Sequence, residues 1–349
     1  MSPKIREPRT SERVQGPIAR AARDPRTQIG AGAVAAAAGA AVTARRIATD
    51  AGNDGGGPSR AYRLRRKEDP GAGVRRIAYG RIDDALEHAR NHDADPVGSV
   101  HEVRKDLKKL RSLLRMVRPS MPKRIYRCEN ARFRDLGREL ATARDAEVKL
   151  QTLASLREIS GKLDEVDAYA AALEAERAQA GVSASAALAI AELEAAREAV
   201  SDWSPNRGWR PPGPGFVRTY ARGRNALAAV QADPSDDAVH GWRKRSKDLW
   251  YHLRIVRRAW RQALAPVADE AHELSDLLGD HHDLAVVADD VSRRGGRFTD
   301  GAQQRVLALI RSRQAELLDD ALPLGERLYA EKPKAFGKRL GTYWRAKKR

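Results

Sequence analysis

The chain has 349 residues, with 65 Lys and Arg against 47 Asp and Glu, so its formal net charge is +18. A basic excess of that size indicates a polyanionic partner. The single cysteine, Cys128, excludes an internal disulfide and a cysteine-based zinc site, and it fits a reducing compartment.

Residues 1–60 are predicted to form a disordered basic tail. They combine basic residues and prolines with an uncharged run at residues 28–44 and a Gly-rich stretch before Pro58. The run is mostly Ala and Gly, which are too weakly apolar for a stable membrane span, and it lacks the apolar centre of a signal peptide. Such sequence buries too little apolar area to offset the entropy of ordering. We therefore expect a cytoplasmic protein with a folded domain over residues 61–349.

Helical periodicity dominates the rest of the chain, in agreement with an aromatic content of only 5%. It predicts helices over residues 74–89, 100–117, 125–160 and 164–200, the third of which is open to a break. Clustered prolines then predict a linker at about residues 201–215. The same four-helix order follows over residues 216–230, 238–260, 267–291 and 302–320, with a final helix at 334–345. The two halves therefore span about residues 70–200 and 216–349.

The halves resemble each other in two motifs. Residues 101–108 (HEVRKDLK) align with residues 240–247 (HGWRKRSK), and residues 140–148 align with residues 278–286 at almost the same offset. Two motifs that recur in the same order indicate an internal duplication. The predicted fold is all-α, with two pseudo-symmetric four-helix bundles related by an approximate two-fold axis and a basic groove at the centre.

Each duplicated helix carries a row of cations beside its apolar face. At 100° per residue, an apolar stripe on the helix at residues 100–117 faces the core, and a basic stripe lies about 110° around the helix. The spacing of this stripe is 3, 4, 3, 4, which stacks like charges on successive turns. In the first half the stripe contains His101, Arg104, Lys108, Arg111 and Arg115. In the second half it contains His240, Arg243, Lys247 and Arg254, with Trp250 in place of an arginine.

Such a row of like charges repels itself, and a linear polyanion would relieve the repulsion through charge-assisted hydrogen bonds. His101 and His240 open the two basic helices, where they either orient the helices by hydrogen bonding or contact phosphate. In the second motif we expect Arg138, Arg144 and His282 to reach the groove. The neighbouring Asp145 and Asp283 are expected to hold cationic side chains rather than touch an anion.

At these residues the chain resembles the CHAD family of conserved-histidine α-helical domains. The resemblance covers roughly residues 72–349 and rests on the paired His-x-x-Arg-Lys-x-x-Lys helices and on residues 278–286 (LGDHHDLAV). It implies two pseudo-symmetric helical bundles around a basic cavity that binds inorganic polyphosphate, often at polyphosphate granules. The matching groove residues are His101, Arg104, Lys105, Lys108, Arg111, Arg115, His240, Arg243, Lys244, Lys247 and Arg254.

The second half departs from this pattern at two positions. Trp250 and Asp248 stand where the first half has Arg111 and Lys109. The second half is therefore expected either to grip the ligand less strongly or to use these positions for packing.

Two other classes of function are open to the sequence. Nucleic-acid binding fits the net charge equally well, although the chain has no zinc finger, basic zipper or aromatic RNA-stacking signature. A metal-dependent His-Asp phosphohydrolase is suggested by His282 and Asp283, but such a site needs further ligands. No phosphate-cradling Gly-rich loop is present. The favoured interpretation is a non-catalytic polyphosphate-binding protein without a cofactor, and the oligomeric state is not predicted.

Overall fold

The computed structural model describes residues 61–65, 67–140, 142–161, 164–179, 186–203, 205, 208, 210–294 and 300–346. The predicted tail at residues 1–60 lies outside this part of the chain. All regular structure in the described ranges is helical, which confirms the all-α fold. The helices are α1 (Pro70–Arg90), α2 (Pro96–Val117), α3 (Lys123–Glu139), α4 (Thr142–Ser160), α5 (Asp164–Gln179), α6 (Ala186–Ala199), α7 (Pro212–Ala232), α8 (Asp236–Val256), α9 (Arg261–Arg293), α10 (Asp300–Leu328) and α11 (Pro333–Ala346).

Three helices begin four residues earlier than predicted, each at a proline: Pro70, Pro96 and Pro212. Proline is tolerated in the first turn because the amide it lacks would have no partner inside the helix. Asp69 caps α1 by accepting from Gly71 N, and Asp95 caps α2 in the same way. Of the prolines that were interpreted as linker, Pro212 therefore opens a helix.

The long helices predicted at residues 125–160 and 164–200 are each described as two. The first is α3 followed by α4, and the second is α5 followed by α6, with residues 180–185 outside the described part of the chain. In the second half, α9 and α10 run as single long helices, with Pro266 and Pro323 inside them. None of the described helices is both long and apolar enough to span a membrane.

Contacts between helices define two four-helix bundles. The first consists of α1, α2, α3 and α6, and the second of α7, α8, α9 and α10, with α11 packed on α7. One apolar core runs through both bundles, because side chains of α2 and α8 belong to the same buried cluster. A smaller second core joins α4 and α5 of the first half to α9 and α10 of the second.

The two motif helices, α2 and α8, contact each other at the junction of the bundles. His252 Nε2 lies 2.8 Å from the carbonyl oxygen of Ser112, and Ser112 Oγ lies 3.5 Å from the carbonyl oxygen of Asp248. The segment before α1 adds a second link, because Leu64 N donates to Ile255 O at 2.9 Å. These contacts place the basic stripes of the two halves beside each other.

Candidate anion-binding groove between the motif helices

Three cations from the two halves surround Lys108. This side chain remains exposed to water, yet the surrounding protein lowers the pKa of its ammonium to about 7. Burial is the largest cause, and the next three are neighbouring cations: Arg243, Arg104 and Lys247. A side chain that is enclosed by protein and still wet lies in an open cleft. We call this cleft the groove and define it by Arg104 and Lys108 of α2 and Arg243 and Lys247 of α8.

The four groove cations differ in how they are held. Arg104 Nη1 donates to the carbonyl oxygen of Leu140 at 2.9 Å, which ties it to the end of α3. Lys247 Nζ lies 3.8 Å from Asp276 Oδ1. In the part of the chain that the structure describes, neither Lys108 nor Arg243 hydrogen bonds or pairs with a carboxylate. The centre of the groove therefore holds positive charge that the described residues leave largely uncompensated.

A pair of stacked histidines borders the groove at Arg243. The rings of His240 and His282 lie 4.0 Å apart between centroids and 26° from parallel. Burial, followed by the charges of Lys244 and Arg243, lowers the pKa of His240 to about 4. Burial and Arg243 likewise lower the pKa of His282 to about 3. Both rings are therefore neutral at physiological pH in the ligand-free protein.

The corresponding histidine of the first half has different surroundings. His101 Nε2 lies 3.8 Å from the carboxylate of Glu102, and the same carboxylate accepts from Lys105 Nζ at 3.0 Å. His101 and His240 are thus not equivalent in the structure. Glu102 offsets the charge of Lys105, whereas Lys244 makes no ion pair with another described residue.

The structure corrects the expectation that Arg254 lies in the groove. Its side chain is only 4% exposed and lies over the ring of Trp250, with 4.9 Å between the guanidinium carbon and the ring centroid. Tyr62, from the segment before α1, covers it on another side at 5.9 Å. Arg254 is therefore buried by the N-terminal segment, which the helical repeat alone could not predict.

Three of the remaining predicted arginines have neighbours other than the four groove cations. Arg115 Nη1 pairs with Asp248 Oδ1 at 2.7 Å, and the half-buried Arg111 lies beside the same two residues. Arg138 is 72% exposed and faces Asp135 on its own helix at 3.5 Å. The side chain of Arg144 lies outside the described residues.

Two acidic residues shape the groove, and sequence reasoning missed one of them. Asp276 lies beside Lys247, and its Oδ2 atom is 2.8 Å from His272 Nδ1, so it links α9 to the groove. Asp283 is near enough to Lys108 for its charge to oppose the lowering of the pKa. Asp283 had been expected to hold a cationic side chain, but no sequence signal marked Asp276. No group of three His, Cys, Asp or Glu side chains able to hold a metal occurs among the described residues.

The structure is an all-helical double bundle with cations gathered between two duplicated helices. The comparison with family models agrees with this class of protein. The family model described as the CHAD domain matches residues 76–291, more than half of the chain. The chain therefore belongs to the CHAD domain family.

Solved structures that are similar to the chain include the following two. PptA from Streptomyces chartreusis is 16% identical, with a TM-score of 0.55, and the match covers 76% of this chain and 100% of that one. The CHAD domain from the plant Ricinus communis is 20% identical, with a TM-score of 0.49, covering 79% of this chain and 97% of that one. At these identities the likeness concerns the fold alone. No curated protein sequence matches the chain.

Proposed function

We propose that this protein binds inorganic polyphosphate in the groove without catalysing a reaction on it. Membership in the CHAD family supports a polyphosphate-related role in general terms. The observation that carries the proposal is the position of Lys108, a wet ammonium surrounded by Arg243, Arg104 and Lys247. Gathering these charges costs free energy in the empty protein, and a linear polyanion would recover it.

The composition of the groove suits phosphate oxygens. Arginine presents planar forks that bind two oxygens of a phosphate group, and lysine adds a point charge on a flexible stem. The groove has both types, and hydrogen bonds to charged groups contribute about 1.5–3 kcal/mol each. The neutral His240 and His282 stack beside these cations and are suited to buttressing Arg243 rather than to supplying charge.

Polyphosphate is favoured over nucleic acid because the described residues give the groove no exposed aromatic platform. Proteins that bind single strands without sequence preference stack bases on exposed aromatic rings. The aromatic side chains next to the groove, Trp250 and Tyr251, are 3% and 4% exposed and are already packed. A ligand that consists only of charged repeating groups needs no such platform. Localisation at polyphosphate granules in the cytoplasm would follow from this ligand.

The test is a titration of labelled polyphosphate, DNA and RNA at two salt concentrations. The Lys108→Ala/Arg243→Ala variant should bind polyphosphate at least tenfold more weakly, with helix content unchanged, and its affinity should depend less steeply on salt. The matched control is Arg293→Ala/Arg327→Ala, which removes two exposed arginines that pair with Asp289 and Glu270. Equal affinity of the two double variants, or DNA that displaces polyphosphate as readily as the reverse, would refute the proposal.

A further inference from the structure

A second concentration of positive charge lies on the other side of α8 from the groove. On that helix, Arg245 is about 160° around the axis from both Arg243 and Lys247 at 100° per residue. The charges of Arg115 on α2 and of Arg218 and Arg222 on α7 act on its guanidinium group. Arg118, from the short 3₁₀ turn that follows α2 (Arg118–Ser120), acts in turn on Arg218. We call this group the arginine cluster, and it consists of Arg115, Arg118, Arg218, Arg222 and Arg245.

A close contact between two backbones positions the cluster. A Cβ on Gly215 would lie 1.6 Å from the carbonyl oxygen of Met116, so the start of α7 crosses the end of α2 at this point. Arg115 and Arg118 flank Met116 in sequence. Arg218 and Arg222 follow Gly215 by three and seven residues and therefore share its face of α7. The crossing thus brings four guanidinium groups to one place.

The pKa shifts of two of these arginines have other arginines of the cluster among their causes. The pKa of Arg218 is lowered by burial and then by the charges of Arg118 and Arg222. The pKa of Arg245 is also lowered, mainly by burial, and Arg222 is among the cations that contribute. The five guanidinium groups therefore repel one another across four helical elements: α2, the 3₁₀ turn after it, α7 and α8.

One carboxylate compensates this group. Asp248 accepts from Arg115 at 2.7 Å and from Arg245 at 3.4 Å. In the described part of the chain, the side chains of Arg118, Arg218 and Arg222 make no hydrogen bond or ion pair, although the Arg118 guanidinium lies 4.8 Å above the ring of Tyr126. Arg118 and Arg222 are exposed, so an anion can reach the cluster from solvent.

The chemistry of the cluster indicates its ligand. It contains arginine and no lysine, and the planar fork of arginine matches two oxygens of one phosphate group. Arg218 and Arg222 are one helical turn apart, a separation of about 6 Å along the axis, which fits a compact anion rather than a long chain. We propose that the arginine cluster is a second binding site that takes a pyrophosphate group, independent of the groove.

Calorimetric titration of the full chain with inorganic pyrophosphate tests this site. Arg218→Ala/Arg222→Ala should weaken pyrophosphate binding at the cluster at least tenfold, and Arg218→Lys/Arg222→Lys should weaken it less. The control is Arg224→Ala/Arg327→Ala, because Arg224 lies on α7 but faces away and donates to the carbonyl oxygen of Glu331. Helix content measured by circular dichroism shows whether each variant is folded.

The groove variant Lys108→Ala/Arg243→Ala separates the two proposals. It should retain pyrophosphate binding at the cluster. The proposal for the cluster therefore holds even if polyphosphate does not bind in the groove. Titration with a long polyphosphate chain identifies the source of the phosphate group. If the cluster variant also binds the long chain more weakly, one chain reaches both sites. If its affinity for the long chain is unchanged, the cluster takes a free small anion. Pyrophosphate binding that is the same in the cluster variant and in its control would overturn the inference.

Discussion

Lys247 holds its ammonium 4.2 Å above the ring of Trp250, the residue that stands where the first half has Arg111. The ring of His272 packs edge-on against Trp250 at 4.1 Å, and Asp276 lies between His272 and Lys247. The aromatic residue that departs from the repeat is therefore part of a frame around a groove cation. Because Trp250 takes the place of an arginine, α8 has one positive charge fewer, and the ring restricts the ammonium group of Lys247.

Replacing Trp250 should weaken polyphosphate binding although the residue is not expected to touch the ligand. Cation–π contacts contribute about 0.5–2 kcal/mol, so Trp250→Leu should lower affinity roughly two- to thirtyfold by releasing Lys247. Trp250→Phe retains a ring and should lose less. The affinities are compared in the same titration after thermal melts have shown that both variants are folded, and a leucine variant that binds as tightly as wild type would contradict the role of the ring.

Polyphosphate affinity should fall as pH rises from about 6 to 8, by at most about tenfold per pH unit. A bound anion favours the protonated form of Lys108, whose pKa in the empty protein is about 7. His240 and His282 contribute little in this range because their pKa values are about 4 and 3. The Lys108→Arg variant keeps its charge throughout and should show a nearly flat profile. A variant with the full wild-type pH dependence would assign the titration to another group.

Removing the charge of Lys108 should stabilise the empty protein while it weakens binding. The pKa of Lys108 lies below its ordinary value of 10.5 in the folded state, so the unfolded chain binds more protons between about pH 7 and 10. Folding at pH 7.5 is therefore opposed by this group, and the opposition decreases as pH rises. Lys108→Met should raise the melting temperature by roughly 2 °C or more. A lower melting temperature for this variant would mean that the lysine stem stabilises the fold by packing.

Disrupting the contact between His252 and Ser112 should destabilise the whole domain. His252 is fully buried, and its loss in His252→Leu leaves the carbonyl oxygen of Ser112 without this partner, at a cost of about 1–3 kcal/mol. Burial also lowers the pKa of His252, so the unfolded chain binds more protons below about pH 6.5 and stability falls as the pH falls. Denaturant titrations at pH 7.5 and pH 5 measure both effects. The variant should lose less stability on acidification than the wild type. An equal loss would argue against His252 as a source of this pH dependence.

The sequence predicted what depends on helical repeats. The spacing of Arg104 and Lys108 on α2, and of Arg243 and Lys247 on α8, was sufficient to place each pair on one stripe, and the duplication indicated that the two stripes come from equivalent helices. The all-α fold follows from the same periodicity and is confirmed.

What the repeat could not predict depends on segments that lie outside it. Arg254 is buried because Tyr62 covers it from the segment before α1. Arg218 was not identified because α7 carries no duplicated motif, and its position depends on the contact of Gly215 with Met116. Both cases require knowledge of tertiary contacts between elements that are distant in the chain.

The second core has a consequence for the integrity of the molecule. Leu153 and Leu156 of α4 pack with Leu284 and Val287 of α9, so each half covers apolar surface that the other would expose. A cut in the connection between α6 and α7 would therefore yield two fragments that stay associated, and the nicked protein would run as one particle. Either half expressed alone would be prone to aggregate, and mixing the two should restore a single species.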